Sequence, residues 1–239
     1  MGFVGNVAGA IIGPSAGSRS TTVLPVTPPA FISASALTAV EGGYGSGTKN
    51  IARPAGTVEG DLVILIACYR NSIFSTTDFT TEMHRSVNPT SISVGLDQND
   101  NAYVGWRVAT GSEPANYSFS YTDSGSNGYC AQVMTVRGAG SISDLTIVSS
   151  GVCAAVTALE EDMLVSIFGT VYNTSTITGI AVPAGMTEVL IHKETAGDTG
   201  NGLCYQESLT AGSTGTKTWA VGGWTAYEFG INMIVTPPV

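Results

Sequence analysis

Charge is what this chain has least of. Lys and Arg number 9 and Asp and Glu 18 in 239 residues, so charged residues make up 11%, less than half the usual share. A helical bundle builds its exposed faces from Glu, Lys and Arg, so that architecture is excluded. Wholesale disorder needs low hydrophobicity and high charge, and here 43% of residues are hydrophobic. The net charge of −9 repels phosphate backbones and excludes nucleic-acid binding as the main role. Cysteines stand only at 68, 130, 153 and 204, without the close pairs that zinc fingers use. They read as reduced, buried thiols. The longest apolar run, Leu62 to Cys68, is far below the about 18 residues of a membrane-spanning helix, so no membrane is expected as a partner. No Lys or Arg precedes Arg19, so the start lacks the basic segment of a secretory signal.

Glycine, by contrast, is abundant, at 30 residues. Residues 1–30 read as an arm: a Gly/Ala/Ser-rich start, then TTVLPVTPPA with prolines at 25, 28 and 29, which favour an extended path. Within it Phe3, Val4, Val7, Ile11 and Ile12 fall on one face at helical spacing. Glycines at 2, 5, 9 and 13 each weaken such a helix by about 1 kcal/mol against Ala. The stripe is therefore expected to order against a partner, a frayed terminus being the alternative.

From residue 31 onward the pattern is strand and turn. Tyr117, Phe119 and Tyr121 alternate with Ser118 and Ser120. Tyr227, Phe229, Ile231 and Met233 alternate with Glu228, Gly230 and Asn232. Period two with aromatic and branched residues predicts half-buried strands. Turns at GGYGSG, DSGSNG and GDTGNG separate short strands as in a sandwich or barrel. One helical turn at most is expected, around TALEED, 157–162.

The chain also resembles itself. EGDLVILIACY at 59–69 is echoed by EEDMLVSIFGTVY at 160–172, and YCAQVMTV at 129–136 by YEFGINMIV at 227–235. The expected fold is all-β: an antiparallel, jelly-roll-like β-sandwich over residues 31–239, built of pseudo-repeated halves 31–138 and 139–237. Two small independent domains are the alternative.

Chemistry is hard to find. His84 and His192 follow similar stretches of the two halves, which points to shared structure. Gly13-Pro-Ser15-Ala-Gly17 matches the spelling of a nucleophile elbow but lacks the strand before it. Asp97, Asn99, Asp100 and Asn101 could offer oxygens to Ca²⁺, yet the sixth and twelfth places from Asp97 hold Ala102 and Val108 where an EF-hand needs Gly and Glu. An Asx-rich turn is the simpler reading. Glu160, Glu161 and Asp162 have no second carboxylate group identifiable for glycosidase work. No Gly-rich turn leads into the Lys-Ser/Thr of a phosphate loop. The expectation is no catalytic residue, no cofactor and no metal.

Framework residues carry one resemblance. Gly60-Asp61-Leu62-Val63, then Trp106-Arg107-Val108-Ala109 with Glu113-Pro114, then Arg137-Gly138, and Pro183-Ala184-Gly185-Met186-Thr187 in the second half, together resemble a recurrent β-sandwich domain of structural proteins in tailed bacteriophages. In the first half DFTTEMHR stands where that family has its P-x-G-W-T segment. The resemblance implies a fold and a virion context, with assembly in the host cytoplasm, and no catalytic residue. Such domains occur on capsid decoration (cement) proteins, head fibres and tail-fibre or baseplate attachments. With no coiled-coil heptads or long fibrous repeat, one sandwich, one apolar arm and an acidic body, the chain is expected to be a cement protein. Its expected partners are further copies of itself, as a trimer, and the major capsid protein or other virion proteins. In that reading the apolar arm is the binding element. The alternative is a tail-fibre, baseplate or head-fibre component that binds a host-surface carbohydrate, with Tyr44, Trp224 and Tyr227 as the aromatics to inspect. A secreted or cell-surface enzyme or adhesin is a third possibility.

Overall fold

The apolar run at 62–68 is long enough for a strand and has no polar alternation, which is the pattern of a strand buried on both faces. The computed structural model shows why. It describes residues 27–36, 45–70, 72–76, 78–79, 100–123, 129–148, 151–171, 179–193, 199–222 and 228–238. The first half contributes β1 (Ala30–Ala36), β2 (Gly45–Ala52), β3 (Leu62–Arg70), β4 (Ser72–Thr76), β5 (Asp100–Val108), β6 (Asn116–Asp123) and β7 (Tyr129–Arg137). The second begins with β8 (Ser141–Val148), β9 (Val152–Cys153), β10 (Thr157–Ala158), β11 (Met163–Val171) and β12 (Gly179–Ala181). It continues with β13 (Thr187–Lys193), β14 (Thr199–Gln206), β15 (Gly212–Ser213), β16 (Lys217–Thr218), β17 (Ala220–Gly222) and β18 (Glu228–Thr236). The fold is all-β and antiparallel.

Two large sheets face each other. One has the order β1-β7-β3-β5, the other β8-β18-β11-β14-β13. Leu62, Ile64 and Ile66 of β3 share one core with Met163, Val165 and Ile167 of β11, together with Met134, Leu203, Ile231 and Met233. Each such fully buried aliphatic side chain contributes roughly 1.5–3 kcal/mol. The alternate residues of β3, Val63, Leu65 and Ala67, pack outward against Ile51, Tyr117 and Phe119 of the sheet β2-β6-β4. On the far side, Leu164 and Phe168 of β11 pack outward on Val156, Ala158 and Leu209, and on Cys153 and Trp219. The outer cover there is three two-stranded pieces, β16-β9, β10-β15 and β12-β17. Central strands are therefore covered on both faces, in four layers.

The large sheets follow one plan. In each, the first strand of the half pairs with the last, the last with the central strand, and the central strand with a later long one, β5 or β14; β13, on the far edge of β14, has no counterpart in the first sheet. The edge strands β1 and β8 carry their irregularity at matching places, between Phe31 and Ser33 and opposite Ile234/Val235. The turn before each central strand is built alike. Asp61 Oδ2 accepts the Val58 N–H at 2.9 Å, and Asp162 Oδ2 accepts the Leu159 N–H at 2.7 Å. The residue before each aspartate has a left-handed backbone: Gly60 at φ 88° and Glu161 at φ 66°.

One local expectation is met at its lower limit and another changes. TALEED forms no helical turn: Thr157 and Ala158 are β10 and the chain then turns through Glu160–Glu161. Asp162 is buried and spends its carboxylate on that turn, which a helix would not need. Over its described side chains, 229–233, the second alternating segment is not half-buried. Phe229, Ile231 and Met233 face the inter-sheet core, while Asn232 and Ile234 on the opposite face are buried too, because β9 and its neighbours cover them. Along 117–121 the expected alternation is observed over the described side chains, with Tyr117 and Phe119 buried and Ser120 exposed.

Candidate functional site

Both ends of the described chain leave the body at one pole. The start of β3 at Leu62 lies opposite Val108, the end of β5, and Val136, near the end of β7. Thr27–Pro29 run past this point: a Cβ on Gly138 would meet the Pro28 carbonyl at 3.0 Å and that of Thr27 at 3.3 Å. Gly138 also holds φ at 68°, so glycine is required there twice, by the turn and by the close approach. The segment entering β1 is then locked to the second half. Pro29 is buried. The Phe31 ring stacks on Tyr205 at 4.9 Å between centroids. The Phe31 N–H donates to Glu207 Oε1 at 2.7 Å. Burial first, and then the Glu207 charge, push the Tyr205 phenol up.

The C-terminal segment arrives at the same place. Gly140 N donates to Thr236 O at 2.8 Å, and Pro238 lies over Gly140 so closely that a Cβ there would stand 2.6 Å from its Cα. Between these segments opens an apolar cavity of about 380 Å³, lined by Gly60, Val108, Ala139, Pro237 and Pro238 among others. Val58, Val108 and Leu159, three of the four large apolar residues most exposed among those described, stand at this pole. Sequence patterning pointed to none of Phe31, Tyr205, Val58 or Leu159. The available signal was an apolar residue three places before each turn aspartate, Val58 before Asp61 and Leu159 before Asp162.

The framework residues meet in space. Arg137 Nε donates to Asp61 Oδ1 at 2.9 Å and its Nη2 to Oδ2 at 3.0 Å, joining the Gly60-Asp61 and Arg137-Gly138 segments. Arg107 pairs with Glu113, and its guanidinium lies 5.8 Å from the Phe79 ring centre and 5.7 Å from that of Tyr117. Glu113 also accepts the Thr110 N–H at 2.8 Å and the Tyr117 hydroxyl at 2.9 Å. Burial raises the Glu113 carboxyl, but Thr110, Arg107 and Tyr117 outweigh it and hold the group below its ordinary value. Burial, followed by Glu113, pushes the Tyr117 phenol up. With both oxygens engaged, Glu113 is a structural acceptor and is not free to act as a base. In the second half Pro183–Met186 form a turn, Met186 N donating to Pro183 O at 3.2 Å.

The acidic triplet is divided among separate tasks. Glu160 Oε2 accepts the Ala211 N–H at 3.2 Å, Glu161 makes the left-handed turn, and Asp162 caps Leu159. Cys153 and Cys204 are free, buried thiols, and burial pushes both up. Among the described residues no group of three or more His, Cys, Asp and Glu side chains could hold a metal ion. Phe3, Val4, Val7, Ile11 and Ile12 of the arm lie outside the described residues, as do Tyr44, Trp224, Tyr227, His84, Asp97 and Asn99. Of the proposed Ca²⁺ turn only the backbone of Asp100 and Asn101, at the start of β5, is described. The chain matches no protein-family model, no curated protein and no solved structure.

Proposed function

We propose that this chain is a non-enzymatic structural protein of a tailed-phage virion, a cement protein that decorates and stabilises the capsid. The observation that carries the reading is the polar arrangement of the molecule. The arm root, the C-terminal segment, an apolar cavity and exposed Val58, Val108 and Leu159 all share one pole. Such a body would dock through that pole and extend residues 1–26 over neighbouring subunits of the shell, the opposite pole facing outward. An arm that orders on contact can cover a wide surface. In a closed trimer, three weak arms would act together through avidity. The net charge of −9 suits the outer surface of a shell better than the DNA-facing one. The virion context itself rests on the sequence resemblance.

The test mixes the full-length protein, and a chain lacking residues 1–20, with undecorated capsids and with host cells. Cement behaviour is capsid binding that saturates at a fixed copy number and raises shell melting. The shortened chain should fold and fail to bind. A truncation that binds shells normally overturns the reading. A second reading, a tail-fibre, baseplate or head-fibre component that recognises a host-surface carbohydrate, draws on the other pole. Strand ends Ala36, Gly45, Gly222 and Glu228, which bracket Tyr44, Trp224 and Tyr227 in sequence, are at that end of their sheets. Cell binding without capsid binding, lost in Trp224→Ala, would favour it.

A further inference from the structure

We propose that Cys68 and Cys130 are an oxidisable pair that closes into a cross-strand disulfide when the protein meets a small-molecule disulfide such as glutathione disulfide. The observation is one of register. β3 and β7 pair without a shift from Leu62↔Val136 to Tyr69↔Tyr129, and this places Cys68 directly opposite Cys130. Directly opposed residues of antiparallel strands have Cα atoms about 4.5–5.5 Å apart, inside the roughly 4.4–6.8 Å that disulfides span. The two positions also share a side of the sheet. Residues 62, 64 and 66 of β3 and 134 and 136 of β7 face the inter-sheet core, and a period of two puts 68 and 130 on that same side.

The other two cysteines have no such relationship. Cys153 stands opposite Lys217, and Cys204 opposite Ser166 and Glu188. Their thiols donate to the Ile167 and Ser166 carbonyls at 3.6 Å each. Cys153 and Cys204 share a buried cluster with Phe168 and Trp219 and both meet Ser166, but no strand pairing sets them opposite each other. Cys68 and Cys130 are thus the pair in cross-strand register.

The step balances as thiol–disulfide exchange. One cysteine, as thiolate, attacks a sulfur of glutathione disulfide and releases one glutathione thiolate, leaving a mixed disulfide. The second cysteine, having lost its proton, attacks the protein sulfur of that mixed disulfide and releases the second glutathione. The two protein thiols give up two protons and two electrons, and the oxidant becomes two glutathione molecules. The product ties together the two central strands of the first large sheet and closes the chain between residues 68 and 130. A closed loop of that length restricts the unfolded ensemble strongly. The inference does not depend on the proposed function.

The experiment compares full-length protein kept in reductant with protein incubated in glutathione disulfide. Each sample is denatured for a thiol count and digested without reduction for peptide mapping. The four thiols of the chain should fall to two. The map should contain a linked peptide bearing Cys68 and Cys130, and the melting temperature should rise on the order of 10 °C. Cys68→Ser and Cys130→Ala should each abolish the linked peptide, and the wild-type map decides the question even where a variant folds poorly. Four remaining thiols, a stable glutathione adduct, or a linkage through Cys153 or Cys204 would overturn the proposal.

Discussion

Asp61 and Arg137, 76 residues apart in sequence, close the first half with a two-pronged ion pair at 2.9 and 3.0 Å. The carboxylate is almost fully buried and the guanidinium is half exposed, at 2% and 48%. Arg137 Nη2 also reaches the Gly56 carbonyl at 2.9 Å. One side chain thus holds the turn into β3 and the end of β7 together. Register in the second half places Thr236 where Arg137 would be, so Asp162 keeps the turn bond but has no arginine at that position. Asp61→Ala should cost about 2–3 kcal/mol, since hydrogen bonds to charged groups are lost and the Val58 N–H is orphaned. Asp162→Ala should cost less. Urea midpoints of the two variants check the order, and equal losses would remove the ion pair from the account.

Glu113 makes stability depend on acid. Its folded-state carboxyl lies below the ordinary value of 4.5, so the folded chain favours the charged form. That contribution is full above pH 4.5 and is lost as pH falls through the lower folded value. Glu113→Gln weakens the bonds to Arg107 and Tyr117 and should cost about 1–2 kcal/mol at neutral pH. Its stability should then fall less steeply below pH 4.5 than that of the wild type. Denaturant midpoints at neutral pH and at about pH 3.5 measure the difference. Parallel curves would mean that Glu113 does not carry the acid response.

How far the sequence showed this fold depends on what kind of contact made it. The run Leu62–Cys68 and its echo at 163–171 are β3 and β11, the central strands of the two large sheets, and burial on both faces is why they lack alternation. Ser166 and Asn232 hid that property in the second half. They are polar yet buried, Ser166 accepting the Trp219 N–H at 3.2 Å and Asn232 donating to the Ala154 carbonyl at 2.7 Å. Such pairings depend on the short strands of the outer layer, whose lengths of two or three residues leave no period to read. The pole that gathers both ends of the described residues was equally hidden, because Phe31 meets Tyr205 and Gly140 meets Pro238 only after both halves fold. The arm residues and loop aromatics chosen from the sequence lie outside the described residues.

The paired turns offer a stabilising substitution. Gly60 and Glu161 hold the same left-handed place, and a side chain there costs about 1–2 kcal/mol that glycine avoids. The Glu161 N–H bond to the Leu209 carbonyl, at 2.9 Å, does not need the side chain. Glu161→Gly should therefore raise stability, by about 0.5–1 kcal/mol once the greater freedom of glycine in the unfolded chain is subtracted. Gly60→Ala is the reverse experiment: a Cβ there meets nothing within 4 Å, so any loss comes from the backbone alone. Thermal melts of both variants should move in opposite directions. A fall in both would mean that the Glu161 side chain contributes something its backbone does not reveal.

The start of β1 should loosen in alkali. The Tyr205 phenol is raised above its ordinary 10.0 by burial and then by Glu207, so the folded chain holds that proton more tightly than the unfolded one. The stabilising contribution is full below pH 10 and is lost as pH rises through the folded value. Ionised Tyr205 would also repel Glu207, whose other oxygen-bound duty is to hold the Phe31 N–H at 2.7 Å. Wild-type stability should fall above pH 10, and Tyr205→Phe should fall less. Because Tyr117 is raised as well, the difference between variant and wild type, not the wild-type curve alone, isolates Tyr205. Phe31→Ala removes a ring stack worth about 0.5–1.5 kcal/mol beyond its area, and should speed amide exchange in β1 at neutral pH. If exchange in β1 is unchanged, the segment before β1 is held by Pro29 and the Gly138 turn, and this pole is rigid without the bridge between the two halves.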